Sequence, residues 1–309
     1  MSATTKMHAD ELDIDAELVR RLLAEQFSDW AELPIAPVPS AGTVNALYRL
    51  GDDMVVRLPR VERWAPSIEK ECTWLPKLAP HLPLAVPEPL ARGSAGEVYP
   101  LAWSVHRWLD GEIWAADRVR DLCEAAEDLA GFINALQRID TTGAPSPPAG
   151  DETVGGRLRR AHAYIRPAIA AAEGMLDMDE ITAAWDAALQ LPVWNGRPVW
   201  VHGDLSRPGN LLVADGRLTA VIDFGGVAVG DPARELLAAW TLFSGESRKV
   251  LRERLAVDDE TWARGRAWAL TAVMAVGYYA KTNPVIVAEA QHLLTEVLAD
   301  YRRDGTPAR

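Results

Sequence analysis

Five apolar residues near the start of the chain, Leu18, Val19, Leu22, Leu23 and Phe27, recur at helical spacing. That spacing gathers them on one face and predicts an amphipathic helix over Asp15–Phe27, with its acidic residues turned to solvent. Residues 40–105 follow a different rhythm, of short apolar runs broken by turn residues. Ala46–Leu50 and Met54–Leu58 flank Gly51-Asp52-Asp53, which predicts a hairpin whose second strand stops at Pro59. A helix is expected from Ser67 to Leu78, with Ile68, Cys72, Leu75 and Leu78 inward. The Pro-bounded VPEPLARG reads as an extended connection, Tyr99–Arg107 as a strand and Trp108–Gly111 as a hinge. Beyond residue 112 the pattern becomes mainly helical, over about 117–138, 155–173, 178–190, 232–244, 259–280 and 285–301. One β-rich break interrupts it at Pro198–Phe224. There Leu211–Val213 and Leu218–Ile222 flank Asp215-Gly216, a strong signal for a two-residue hairpin turn.

These parts come in a telling order: an N-terminal helix and a β-rich, nucleotide-binding N-lobe with one further helix (1–104), a hinge (105–111), and a mainly helical C-lobe with an embedded hairpin (112–309). That is the order of an α+β, bilobal protein-kinase-like fold. The chain has 309 residues, enough for two lobes with ample core.

Charge narrows the partners. The net charge is −12, which argues against nucleic acid, whose phosphates need a basic footprint. By segment, residues 1–39 carry 8 acids and 3 bases, 40–105 carry 7 and 7, 106–240 carry 20 and 12, and 241–309 carry 9 and 10. The middle excess points to a cationic small-molecule partner, and the neutral N-lobe suits an anionic one. The N-terminal MSATTKMHAD has no basic-then-apolar pattern, so no secretory signal is expected. The apolar run from Ala267 to Ala280 falls short of the ~20 residues needed to span a bilayer. Cys72 and Cys123 form no CxxC, which leaves out a structural zinc or a disulfide framework and fits a cytoplasmic setting. Oligomeric state leaves no mark in the sequence.

The chemistry concentrates in residues 199–240. His202-Gly203-Asp204 opens a loop that ends at Asn210, and a hairpin then delivers Asp223 within Ile222-Asp223-Phe224-Gly225. Phosphoryl transfer needs a carboxylate beside the attacking hydroxyl and hard oxygen ligands for Mg²⁺ on the donor phosphates. Asp204 fits the first role, catalytic; Asn210 and Asp223 fit the second, as metal ligands.

The segment resembles the aminoglycoside phosphotransferase family of the protein-kinase-like superfamily, whose signatures are HGDxxxxN and IDF/IDW followed by GDP. The likeness extends to RLPR (57–60), KECTWLPKLAPHLPLAVPEPL (70–90), SVHRWLDGE (104–112), GDPA (230–233) and WARGRAWAL (262–270), and so covers about residues 40–300. It implies Mg²⁺, ATP or GTP as donor, and transfer of the γ-phosphoryl group to a hydroxyl of a small molecule, foremost an aminoglycoside-type antibiotic. It also implies residue roles. Arg57 stands where many relatives have Lys and would anchor the nucleotide, oriented by Glu71; a solvated surface pair is the alternative. Gly42 and Thr43 lie in the loop that would cover the phosphates. Val105, Arg107 and Trp108 belong to the hinge that would flank the purine. His202 reads as a support of the loop rather than a reactant, and Asp231-Pro232 as a helix cap with Pro at the first helical position. Most of the 12 tryptophans read as core.

One departure bears on activity. Five residues, Leu205 to Gly209, separate Asp204 from Asn210, where the family has four. Either Pro208-Gly209 turns the extra residue outward and Asn210 still reaches the metal, or Asn210 is misplaced. The family also holds kinases of amino alcohols, homoserine, sugars and macrolides. A metabolic kinase, a macrolide kinase and a nucleotide-binding pseudokinase are therefore the competing readings.

Overall fold

The computed structural model describes residues 10–39, 44–145, 154–172, 174–175, 177–255, 257–279 and 283–303. Its strands are β1 (Ile35–Pro37), β2 (Asn45–Leu50), β3 (Met54–Pro59), β4 (Pro89–Gly93), β5 (Trp103–Arg107), β6 (Glu112–Ile113), β7 (Val199–Val201), β8 (Leu211–Ala214), β9 (Arg217–Val221) and β10 (Ala228–Gly230). Its α-helices are α1 (Ala16–Gln26), α2 (Ala65–Leu78), α3 (Leu122–Arg138), α4 (Val154–Ala171), α5 (Met178–Ala188), α6 (Ala238–Thr241), α7 (Gly245–Leu255), α8 (Asp259–Ala269), α9 (Val273–Tyr279) and α10 (Pro284–Arg303). They form two compact units. The first comprises Met1–Trp114, Gly209–Asp215 and Thr219–Val227; the second comprises Ala115–Pro208, Gly216–Leu218 and Ala228–Arg309. The expected lobe boundary gives the whole hairpin to the helical part, whereas most of it packs with the first unit.

The first unit is built on a five-stranded antiparallel sheet in the order β1-β2-β3-β5-β4. Alternation decides its faces. Met54, Val56 and Leu58 of β3 join Trp103 and Val105 of β5 in one apolar core with Leu18, Val19, Leu22 and Leu23 of α1. Helix α1 begins at Asp15, whose carboxylate accepts the Leu18 N–H at 2.8 Å. The opposite sheet face carries Arg57, with Ser104 directly across from it. Two strands here escape the sequence pattern. β4 lies in the Pro-bounded segment read as a connection, and β1 is too short to show a period. The hairpin of β8 and β9 turns at Asp215 and Gly216, both left-handed (φ 50° and 75°), the conformation that a two-residue hairpin turn requires. Ala85 extends its edge: the Ala85 N–H donates to Thr219 O and the Val221 N–H donates to Ala85 O.

The second unit is helical apart from a short antiparallel pair, β7 with β10. Two long helices expected from the sequence are interrupted. Residues 232–244 begin as a 3₁₀ turn over Pro232–Leu237 before α6, and 259–280 divides into α8, a 3₁₀ turn at Leu270–Ala272 and α9. At the second break the Thr271 hydroxyl donates to the Trp268 carbonyl, the side-chain back-bonding that tightens and bends helices. The C-terminal α10 is anchored by buried polar contacts. The Trp240 indole N–H donates to Asp300 at 2.6 Å, and the Arg248 guanidinium bonds Asp300, Glu296 and two backbone carbonyls. Among the described residues no helix is long and apolar enough to cross a membrane.

Candidate active site

In the first unit the alternation that sends Val56 and Leu58 to the core sends Arg57 toward α2. There its Nη2 lies 3.0 Å from Glu71 Oε1 and 3.3 Å from Asp223 Oδ1. Both Arg57 and Glu71 are buried, so the surface-pair alternative does not hold. Burial, and after it the charge of the second acid Asp223, push the Glu71 carboxyl up to about 7 against the opposing pull of Arg57. Helix α2 also holds the segment after β9: Lys70 Nζ donates to the Gly225 carbonyl at 3.2 Å, and Glu71 takes a backbone hydrogen bond from Phe224. A side chain at Gly225 would meet Ser67 Cβ at 3.1 Å. Asp223 itself is left-handed (φ 65°), a strained state for a non-glycine residue, and about a third of its side chain is exposed. Asn210 is buried at the start of β8, and its carbonyl accepts the Ile222 N–H at 2.8 Å. The hairpin therefore ties the backbones that carry Asn210 and Asp223. One amide oxygen and one partly exposed carboxylate are hard oxygen donors in the small number that Mg²⁺ uses alongside phosphates and water, so these residues fit the ion.

At the expected hinge the side chains are engaged within the first unit. Val105 points into the core. The exposed Arg107 guanidinium bonds Glu88 (2.7 Å) and Asp53 (3.3 Å), and Trp108 lies 4.1 Å beneath Arg49. The Arg107 and Trp108 N–H groups donate to Glu88 and Asp53 carbonyls. His106, just before them on β5, is fully buried, with neither ring nitrogen bonded among the described residues and its pKa lowered to about 2, chiefly by burial. No motif marks it. Gly42 and Thr43 lie outside the described residues.

In the second unit Asp204 follows the β7 strand, whose Trp200 indole N–H donates to the Asp140 carbonyl at 3.0 Å. The Asp204 N–H donates to Nδ1 of the buried His202 (3.2 Å), the supporting geometry expected of that histidine. The Asp204 carboxylate is partly exposed and meets Arg207 Nε at 3.1 Å. Arg207 belongs to the five-residue spacer. Its side chain is 69% exposed and its N–H closes a turn on the Asp204 carbonyl at 3.3 Å, while Pro208–Asn210 forms a 3₁₀ turn. Asp231 caps the Pro232 turn through the Ala233 N–H (3.0 Å) and forms a buried ion pair with Arg264 (3.1 Å). Arg264 and Arg234 carry no role in the sequence reading, and Glu235, which stands where relatives of the family it resembles more often carry Asp, has none there either; the signal is a run of charges inside an otherwise apolar stretch.

Part of the acidic excess of residues 106–240 is already engaged within the protein. Glu124 and Asp128 hold Arg217, Glu127 holds Arg254, and Glu180 holds Arg302. Asp121 and Asp177 cap helices.

Against known proteins, the APH phosphotransferase enzyme family matches residues 36–268. No curated protein matches the chain. Among solved structures, the GDP complex of wild-type aminoglycoside 2'-phosphotransferase-IIIa is similar over 93% of this chain and 99% of its own, at 20% identity and a TM-score of 0.72. A GDP and kanamycin complex of a related APH(2'') enzyme gives 91% and 98% coverage, 20% identity and a TM-score of 0.72. Macrolide 2'-phosphotransferase MphH from Brachybacterium faecium, an apoenzyme, gives 90% and 98%, 23% identity and a TM-score of 0.61.

Proposed function

This chain belongs to the phosphotransferase enzyme family, and we propose that it moves the γ-phosphoryl group of ATP or GTP to a hydroxyl of a small molecule, foremost an aminoglycoside-type antibiotic. The observation that carries the reading is the buried Arg57 held between Glu71 and Asp223. A cation fixed from two sides, one of them the hairpin acid, is a preformed partner for nucleotide phosphates. Asn210 and Asp223 would hold Mg²⁺, which supplies neutralisation of charge on the donor phosphates. Asp204 orients the acceptor hydroxyl and takes its proton at a carboxylate oxygen. Arg207, bonded to that carboxylate, turns the extra spacer residue outward and leaves Asn210 buried at the hairpin, which favours a working enzyme over a pseudokinase. Gly42 and Thr43 would cover the phosphates. Val105, Arg107 and Trp108 would flank the purine by backbone, through carbonyls, since two of their N–H groups are already bonded.

The acceptor rests on the relatives. Similar structures are complexes with kanamycin, gentamicin and streptomycin, which favours a cationic aminocyclitol. Macrolide phosphotransferases are also similar, so a macrolide is the second reading. A panel of aminoglycosides, macrolides, amino alcohols and sugars, scored by nucleotide consumption with MgATP and MgGTP, tests both. Turnover on an aminoglycoside supports the first reading, and turnover confined to macrolides supports the second. Tight nucleotide binding with no turnover on any acceptor refutes the enzyme.

A further inference from the structure

The five-residue spacer between Asp204 and Asn210 turns back on its own beginning. The Arg207 N–H donates to the Asp204 carbonyl at 3.3 Å and closes a turn that brings the two side chains together. Arg207 Nε then lies 3.1 Å from Asp204 Oδ2 and 3.3 Å from Oδ1, so one guanidinium N–H faces both oxygens of the carboxylate. The pair is open to water, with 39% of the Asp204 side chain exposed and more of Arg207. Arg234 also attracts the Asp204 carboxylate, but it is not free to leave. Its guanidinium bonds the Gly203 carbonyl at 3.3 Å and would lie 2.8 Å from a Cβ on that glycine, so it is wedged against the backbone. Arg207 is the cation that can swing away.

We infer that Arg207 is a latch on the Asp204 carboxylate and determines specificity for the acceptor over water. The inference rests on the reading of Asp204 as the proton-accepting group. While the latch is closed, a guanidinium holds the oxygens on which the O–H of a nucleophile must sit. In the nucleotide-loaded enzyme the nucleophile always at hand is water. Its oxygen would bond to the γ-phosphorus as the bond to the bridging oxygen breaks, the nucleoside diphosphate would leave, and the proton would pass to Asp204. Water carries no charge with which to displace the guanidinium. An acceptor with an ammonium group beside its reacting hydroxyl exchanges one cation for another on the same carboxylate, and so opens the latch at little cost. The strength of the contact suits that use. An exposed ion pair shifts a closed-to-open population by only about twofold to fivefold, enough to restrain a futile reaction without excluding the acceptor.

The test compares the intact protein with Arg207→Ala, Asp204→Asn and the double variant at saturating MgATP or MgGTP, with no acceptor, reading the release of inorganic phosphate. Arg207→Ala should hydrolyse nucleotide about twofold to fivefold faster than the intact protein, and the gain should vanish in the double variant. Raising the salt from about 0.05 M to about 0.5 M should speed hydrolysis by the intact protein and leave Arg207→Ala unchanged, because salt screens an exposed pair. With the acceptor found with the panel, Arg207→Ala should show an acceptor KM about twofold to fivefold lower at a similar kcat. Hydrolysis by Arg207→Ala that is equal to or slower than that of the intact protein, or a gain that survives in the double variant, would overturn the latch. Asp204→Asn separates the two levels: full transfer activity there defeats the reading of Asp204, whereas its inactivity beside unchanged hydrolysis in Arg207→Ala defeats only the latch.

Discussion

Replacing Arg57 by Met should weaken the protein by an amount that depends on pH in a definite direction. The guanidinium sits 3.0 Å from Glu71 and 3.3 Å from Asp223, with Glu71 fully buried. At an effective dielectric of about 20, unit charges at that separation attract by about 5 kcal/mol, and stripping one member from a buried pair costs about 3–5 kcal/mol. Urea unfolding at pH 8 should therefore show a loss of about 3–5 kcal/mol with little change in m. At pH 6 the loss should be smaller, because the Glu71 carboxyl, pushed up to about 7, takes a proton and needs no cation. Adding Glu71→Gln to Arg57→Met should recover most of the loss, giving a coupling of at least about 2 kcal/mol in the double-mutant cycle. A coupling below about 0.5 kcal/mol, or equal losses at pH 6 and pH 8, refutes the shared-cation arrangement.

Three further expectations follow from the second unit. Asp231→Ala leaves Arg264 buried without its partner and uncaps the Pro232 turn, so unfolding free energy should drop by about 4 kcal/mol or more, while Asp231→Asn, which keeps the cap, should lose less. Glu235 titrates near 7 when folded against an ordinary 4.5, so the native state binds the extra proton; its contribution is full below pH ~4.5 and is lost as pH rises through about 7. That amounts to about 3 kcal/mol, and Glu235→Gln should flatten the stability-versus-pH curve, measured by urea unfolding from pH 5 to 8, by a comparable amount. Arg207→Ala breaks an exposed pair and should change stability by less than about 1 kcal/mol, yet lower turnover if the guanidinium serves the phosphoryl group; unchanged turnover and nucleotide KM remove that role.

Much of this arrangement was legible because local chemistry demanded it. Asp215-Gly216 specifies its turn and Asp231 a cap, whereas the pairing of Arg57 with Glu71 is expected from the family resemblance. What stayed hidden depends on partners far along the chain. β7 and β10 are three residues each, too short to carry a period, and they exist because they pair with each other. The break at Leu270–Ala272 carries no Gly or Pro, only a Thr271 hydroxyl turned back on its own helix. The Arg234–Glu235 grip on Gly203 joins residues about 30 positions apart, and His106 looks in sequence like any residue of an apolar strand. The segment charge is a coarse guide for a physical reason: several of those acids are already paired with arginines or bonded to helix N-termini.

The central claim is that Asp204 takes the proton of an acceptor hydroxyl while the γ-phosphoryl group moves to it. Phosphorus NMR of a turnover mixture with MgATP or MgGTP and the panel acceptor, run in parallel on the intact protein and on Asp204→Asn, tests it directly. The account predicts a new phosphomonoester resonance from the intact protein and a rate at least about 100-fold lower from the variant, with nucleotide affinity retained. A variant that forms the phosphomonoester at the rate of the intact protein would contradict it.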